Sequence, residues 1–243
     1  MIILLRKRDL FLSLLFCCFA VGLGTVLWKG NAVPAFAAGE EDGPPLTVVI
    51  DPGHGGEDGG AVSPGGVSES AINLAVSLRV SDLLRFAGQR TALIREEDVS
   101  VGDGNLDTMR QRKTSDLKNR VAMVNAVENS LLLSIHQNSL PSSPVTHGAQ
   151  VFWNQGEGAQ ALAAVMQDAL NMGINAGNKK NPRQIPDSIY LMKHVTGPGI
   201  LVECGFLSNA AETEWLQSPV YQTRLAAAIA AGFLRGLTEG DDL

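Results

Sequence analysis

The chain is poor in cysteine, with three in 243 residues. Cys17 and Cys18 fall inside an apolar N-terminal run and leave Cys204 alone in the remainder. No disulfide framework can form there. A basic excess is also lacking: 19 Lys and Arg against 25 Asp and Glu give a formal charge of -6. Nucleic acid wants a basic face, so that partner class is excluded. Residues 1–37 hold Arg6, Lys7, Arg8 and Lys29 against Asp9, a balance of +3, and subtraction leaves -9 for the rest. An anionic polymer would have to be held by local groups and not by the overall field. Internal repeats and low-complexity tracts are missing as well, and nothing after the linker reads as a wall-binding or adaptor module, so the domain is expected to act without an appended anchor.

A hydrophobic content of 45% is enough to bury a sizeable core, which predicts one domain behind a short leader. Arg6-Lys7-Arg8 is a basic start, Leu10 to Trp28 is 19 residues of nearly unbroken apolar sequence, and Ala35-Phe36-Ala37 is a small-x-small cleavage candidate. The segment reads as a signal peptide or, by its length, as a signal anchor. Either way the N-terminal charges place the remainder outside the cytoplasm, secreted or held by an N-terminal membrane segment. The expected organisation is a leader over 1–37, a polar linker over 38–45, the working domain over 46–238 and a tail over 239–243.

Strand-like runs recur at Thr47–Ile50, Arg90–Ile94, Ser130–Ile135, Ala149–Trp153, Ser188–Met192 and Gly199–Glu203. Helical patterns separate them. Ser68 caps a helix with Ile72, Ala75, Val76, Val80 and Leu83 on one face, and Gly88 ends it. Asp116 to Val127 predicts a second helix with Leu117, Val121, Val124 and Ala126 inward, and Ala159 to Met172 a third. Asn209 and Glu212 form a capping box, and Ser218-Pro219 opens a last helix carrying Leu225, Ala228, Ile229, Gly232, Phe233 and Leu237. The fold class expected is α/β, a mostly parallel or mixed sheet of about six strands with helices on both faces. In such sheets the working groups gather at strand ends and in the loops beyond.

Four groups fall in such places. His54 follows the run Val48-Val49-Ile50 on a Pro/Gly turn, where an imidazole is placed for a ligand more than for packing. His136 follows Leu131 to Ile135, Glu203 closes Gly199 to Val202, and Glu69 opens the first helix. Two imidazoles and a carboxylate can hold zinc with a position left for water, and a second carboxylate can move protons. Each also has a plain reading: Glu69 complements a helix dipole, and His136 is a satisfied core histidine. Glu203 is harder to set aside, because a bare carboxylate among buried residues is costly.

The stretches Val49-Ile50-Asp51-Pro52-Gly53-His54-Gly55-Gly56, Ser68-Glu69, Ser134-Ile135-His136-Gln137-Asn138 and Val202-Glu203-Cys204-Gly205-Phe206-Leu207-Ser208-Asn209 resemble the zinc-dependent N-acetylmuramoyl-L-alanine amidases of the bacterial cell wall. The likeness runs from about Leu46 to Leu237, in that family's order. It implies Zn²⁺ held by His54, Glu69 and His136, a catalytic Glu203, and peptidoglycan as the substrate, cut between N-acetylmuramic acid and L-alanine. Tyr190-Leu191-Met192-Lys193-His194 and Gly197-Pro198-Gly199 resemble the short sporulation amidases in particular. That likeness implies spore-cortex work leading to muramic-δ-lactam, or a role in germination; a protein activator is a further partner that the sequence leaves open. Vegetative cell separation is the alternative use. Gln137 and Cys204 depart from the small or aliphatic residues common at their positions, which touches the pocket wall and not the ligands.

Other polar residues stay open. Asp51 either supports the far nitrogen of a ligating histidine or shapes its turn. Asn138 fixes the loop after His136 or contacts sugar. His147 reads as solvated, His194 as a cleft residue or a bystander. Arg112 and Arg120 read as ion-pair partners or as hands for a peptide carboxylate. The basic loop within 175–187, around Lys179-Lys180-Asn181-Pro182-Arg183, reads as a contact for a partner or glycan, or as plain solvated chain. Two rival functions are a cysteine amidase built on Cys204 and a non-catalytic wall-binding or activator module. Strand alternation turns Cys204 away if Glu203 faces the site, and the complete ligand set argues against the module.

Overall fold

The computed structural model describes residues 43–239. The expected leader, with Cys17, Cys18 and the cleavage candidate, lies outside the described residues. Among the described residues no helix is long and apolar enough to cross a membrane.

The compact unit Pro44–Leu243 carries every element named below. In chain order these are β1 (Thr47–Pro52), α1 (Glu69–Phe86), β2 (Arg90–Leu93), α2 (Met109–Asn125), β3 (Ser130–Asn138), β4 (Gln150–Trp153), α3 (Ala159–Gly173), β5 (Arg183–Gln184), α4 (Tyr190–His194), β6 (Gly199–Phe206), α5 (Ala210–Gln217) and α6 (Pro219–Glu239). They build one six-stranded sheet in the order β2-β1-β3-β6-β4-β5. The pairs β2–β1, β1–β3 and β3–β6 are parallel, while β4 runs antiparallel to β6. The expected α/β class with a mixed sheet is thus the architecture found. Because β2 and β3 flank β1 on opposite sides, the strand order reverses there, and ligands bind beyond the carboxyl ends of strands at such a point.

Alternation along the strands divides the core. Val48, Ile50, Leu131, Leu133, Ile135, Val202 and Cys204 pack under α1, α3 and α6. Val49, Leu132 and Leu201 pack on the other side with Val124 of α2 and with Leu191 and Met192 of α4. By the two-residue period, Asp51, Ser134, His136 and Glu203 belong to the face that α2 and α4 cover.

Local expectations need several corrections. Ser188–Met192 is not a strand: α4 begins at Tyr190, buries the neighbours Leu191 and Met192 together, and stacks Tyr190 on His194 with ring centroids 4.0 Å apart. Adjacent residues on a strand would point to opposite faces, so this apolar pair suits a helix. The sixth strand is instead β5, from the polar loop. Helix α2 starts earlier than Asp116, because Thr108 and Gln111 form a complete capping box. Its buried positions are Ser115, Arg120 and Val124, whereas Leu117 and Ala126 are exposed. Strands β3 and β6 continue past Ile135 and Glu203, so His136 and Glu203 lie within strands. At α5 only half of the expected box exists. Asn209 accepts from the Glu212 N–H, but the Glu212 carboxylate accepts from the backbone N–H groups of Gly148 and Phe206.

Candidate metal centre

His54 sits two residues beyond β1 in a tight loop closed by mutual backbone bonds between Gly55 and Asp58, 2.9 and 3.2 Å. Its φ of 62° is left-handed, a conformation that costs a non-glycine residue on the order of 1–3 kcal/mol. Neighbouring bonds hold it there. Arg120 donates from Nη2 to the His54 carbonyl, 2.7 Å, and from Nη1 to that of Pro52, 3.0 Å. Arg95, also buried, donates to the carbonyls of Pro52, Gly53, Ser70 and Glu97. The loop thereby rests on two guanidinium groups.

The ring of His54 is oriented by Asp58, whose Oδ2 lies 2.9 Å from Nδ1. Asp58 Oδ1 accepts from the Gly60 N–H and pairs with Lys113 Nζ at 2.7 Å. Burial opposes ionisation of Asp58, but the hydrogen bonds to His54 and Lys113 outweigh it and hold the carboxyl below its ordinary range. With Nδ1 engaged by a carboxylate, Nε2 is the nitrogen left facing the centre.

Glu69, 3% exposed, lies between the two imidazoles. Its Oε1 is 2.9 Å from His136 Nδ1 and its Oε2 is 3.4 Å from His54 Nε2. Backbone N–H groups of Gln137 and Ala61 and the amide of Asn73 donate to the same carboxylate. Burial favours the neutral acid, yet the hydrogen bond and charge of His136, then the charge of His54, bring the carboxyl down to about 2. For His136 burial lowers the pKa, but the Glu69 hydrogen bond and charge, with Glu203 and Asp51 beyond, hold it raised. Room for these rings is made by glycine. A Cβ on Gly53 would overlap the His136 ring, and one on Gly60 would press on Glu69 Oε2 and the His54 ring.

One donor atom from each of His54, Glu69 and His136 lies within 4.8 Å of the others. Two imidazole nitrogens and one carboxylate oxygen form a zinc donor set that leaves a position open for solvent or substrate. Glu203 stands beside them, in register with His136 across the β3–β6 ladder. Its Oε2 is buried without a hydrogen-bond partner. Burial raises its pKa to about 7, the His136 charge opposing and the Glu69 charge adding. A buried carboxylate oxygen without a partner calls for a functional explanation, and a nearby cation or reacting group supplies one.

Of the other residues read from the sequence, Asp51 neither shapes a turn nor holds a histidine nitrogen. It lies buried in β1, accepting from Arg120 Nη1 and from the Ser134 hydroxyl at 2.7 Å. Burial would raise its pKa, but Arg120, His136 and Ser134 bring it below the ordinary value. The carboxylate on the histidine ring is Asp58 instead. Its signal was an acid four residues after His54 in a glycine-rich turn, close enough to fold back. Arg120 and Arg112 are ion-pair partners, of Asp51 with Asp116 and of Glu57. Asn138 Oδ1 accepts from the Ser139 N–H, which shapes the loop after β3. His147 is exposed with Nδ1 on the Val145 carbonyl, and His194 stacks on Tyr190. Gln137 joins the wall, its amide donating to Asn73 Oδ1. Within the basic loop, Arg183 and Gln184 pair with β4 at the sheet edge. Cys204 is buried among apolar residues on the face opposite Glu203, and burial pushes its thiol up, which removes it as a nucleophile.

Comparison with known proteins agrees with this geometry. The Germination-specific N-acetylmuramoyl-L-alanine amidase of Bacillus subtilis (strain 168) is 37% identical over 195 residues, covering 80% of this chain and 81% of that protein. Among solved structures, the CwlD amidase of Clostridioides difficile, determined in complex with the GerS lipoprotein, superposes with a TM-score of 0.75. It shares 34% identity and covers 79% of this chain and 98% of that one. The AmiC2 amidase of Nostoc punctiforme gives 0.65 at 31% identity, over 79% of this chain and 97% of that one. Residues 48–235 match the Amidase_3 family model, described as N-acetylmuramoyl-L-alanine amidase, and with these relatives the match makes the chain a member of that family.

Proposed function

We propose that His54, Glu69 and His136 hold the zinc ion of this amidase and that Glu203 is its proton carrier, in hydrolysis of the bond between N-acetylmuramic acid and L-alanine in spore-cortex peptidoglycan. The observation that carries the reading is Glu203, a carboxylate with one buried, unpartnered oxygen, in register with His136, whose ring shares Glu69 with that of His54. Zinc, when bound, supplies a Lewis acid for the lactyl-amide carbonyl and lowers the pKa of its water toward about 7.

The chain's own residues do the rest. Asp58 takes the Nδ1 proton of His54 in a hydrogen bond, so Nε2 presents its lone pair. Glu69 is held in place by N–H groups from Ala61, Asn73 and Gln137, which fix the carboxylate before any ligand arrives. Glu203 accepts a proton from the attacking water and delivers it to the amine of L-alanine as the C–N bond breaks. Burial raises the Glu203 carboxyl in the metal-free site and a bound cation opposes that rise, which favours the ionised form that accepts the proton. The products are a stem peptide with a free amino group and a muramic acid with a free lactyl carboxyl, the species from which a lactam can form.

The cortex substrate is supported by the name of the germination-specific relative and by the CwlD likeness. A protein activator is supported by the GerS complex of that amidase. We assign catalysis to 46–238 and export to 1–37, which places the site outside the cytoplasmic membrane. Purified cortex and vegetative wall, digested side by side with and without zinc, test the reading by mass spectrometry of the released ends. Zinc-dependent release of stem peptides beginning at L-alanine from cortex is expected; cleavage confined to vegetative wall contradicts the cortex role.

A further inference from the structure

His54 differs from its two neighbours in what carries it. Glu69 stands on α1 and His136 in β3, both regular elements, whereas His54 hangs on a loop with Gly53, Gly55 and Gly56. Glycines give such a loop many conformations to lose, and the left-handed φ of His54 is one that a histidine seldom keeps unaided. Arg95 and Asp98 brace the loop from the segment after β2, and one helix holds His54 itself. Arg120 of α2, 2% exposed, donates to the His54 carbonyl, 2.7 Å, and to that of Pro52. Seven residues earlier on α2, Lys113 pairs with Asp58 Oδ1 while Asp58 Oδ2 holds the His54 ring. Arg112 pairs with Glu57 in the same loop.

We infer that α2 sets the zinc affinity of the site by holding His54 at both ends, Arg120 fixing its backbone and Lys113, through Asp58, its ring. The inference rests on the ligand assignment proposed above, and both basic residues are positioning residues. Two features set this role apart from ordinary helix docking. Helix α2 is docked elsewhere by Asp116 and Asn119 on Ser100 and Val101 and by Asn125 on His194 and Thr196, so the bonds of Lys113 and Arg120 to the His54 loop come on top of those that attach it. In addition, Arg120 has two acids for its charge, Asp51 and Asp116, yet directs Nη2 at a carbonyl. A guanidinium fork can reach both acids and two carbonyls at once; an ammonium cannot.

The test measures zinc affinity of the full chain by competition with a chromophoric chelator. It is read beside the melting temperature of the chelated protein and the absorption spectrum of the cobalt-loaded form. Asp58→Asn is expected to bind zinc about 10–100-fold more weakly. Lys113→Met, which removes a half-exposed side chain, should weaken zinc binding several-fold and leave the metal-free melting temperature unchanged, because exposed ion pairs add little stability. The double variant should bind no worse than Asp58→Asn alone, since Lys113 acts through that carboxylate. Arg120→Lys keeps the charge and loses the fork, so a folded variant should bind weakly and show an altered cobalt spectrum. Should Arg120→Lys fail to fold, the Asp58 and Lys113 variants decide alone. Unchanged zinc affinity in Lys113→Met and Asp58→Asn would overturn the inference. A wild-type chain that takes up no zinc would instead overturn the ligand assignment beneath it.

Discussion

His136 and Glu203 stand directly opposite one another in the parallel ladder between β3 and β6. Strand pairing therefore places an imidazole and a carboxylate side by side before any loop contributes. The same ladder turns Cys204 into the opposite layer. The division of labour between metal ligand and proton carrier rests on this register, because a one-residue slip would exchange Glu203 for Cys204 at the site.

Glu203→Gln preserves shape and removes the proton acceptor. Zinc content should stay at the wild-type level while turnover of a muramoyl-peptide substrate falls by about 10²–10⁴-fold. Metal analysis of the purified variant beside a steady-state assay checks both halves. Retained turnover would remove Glu203 from the mechanism.

The same substitution has a pH-dependent effect on stability in chelated protein. A carboxyl whose folded pKa is raised from 4.5 to about 7 contributes stability that is fully present below the unfolded value and is lost as pH rises through about 7. Relative to Glu203→Gln, the metal-free wild type should therefore lose stability between about pH 4 and about pH 8. Urea unfolding followed by circular dichroism across that range gives the answer. A constant difference would show that the carboxyl titrates normally.

Gly53→Ala tests the space that glycine leaves for the histidine ring. The added methyl must displace His136, so zinc occupancy and turnover should both fall. The overpacking should cost on the order of 1–3 kcal/mol of stability, read from urea midpoints.

Chelators and thiol reagents should act oppositely. Chelation should abolish turnover and added zinc should restore it, whereas an alkylating agent should leave the folded enzyme active, because the Cys204 thiol is buried and held protonated. Inhibition by the alkylating agent with none by the chelator would revive a cysteine mechanism.

Much of the fold is legible in periodicity, because the strands that carry the site are runs of Val, Leu and Ile ending at recognisable turns. Helix α2 is where that reading fails. Its buried face is built from Arg120 and Ser115, so a search for apolar spacing selects the exposed Leu117 and misses the guanidinium beneath. The helix starts at the Thr108 and Gln111 box, two polar residues that an apolar period does not include. At the site, the ends of β1, β3 and β6 point to His54, His136 and Glu203, since parallel strands bring their carboxyl ends together whatever their separation in sequence. The arginine bonds to loop carbonyls leave no such trace, and Asp58 leaves only its place four residues after His54. They depend on how a glycine loop folds back and on which backbone oxygens it presents, and neither has a period.

The central claim is that His54, Glu69 and His136 share one zinc ion with Glu203 alongside. Anomalous diffraction from crystals of the zinc-loaded protein, recorded on both sides of the zinc absorption edge, tests it most directly. One strong peak is expected at bonding distance, about 2.0–2.2 Å, from a nitrogen of each histidine and an oxygen of Glu69, with Glu203 facing the open position. A peak elsewhere in the chain, or Glu203 taking the place of Glu69 as a ligand, would contradict it.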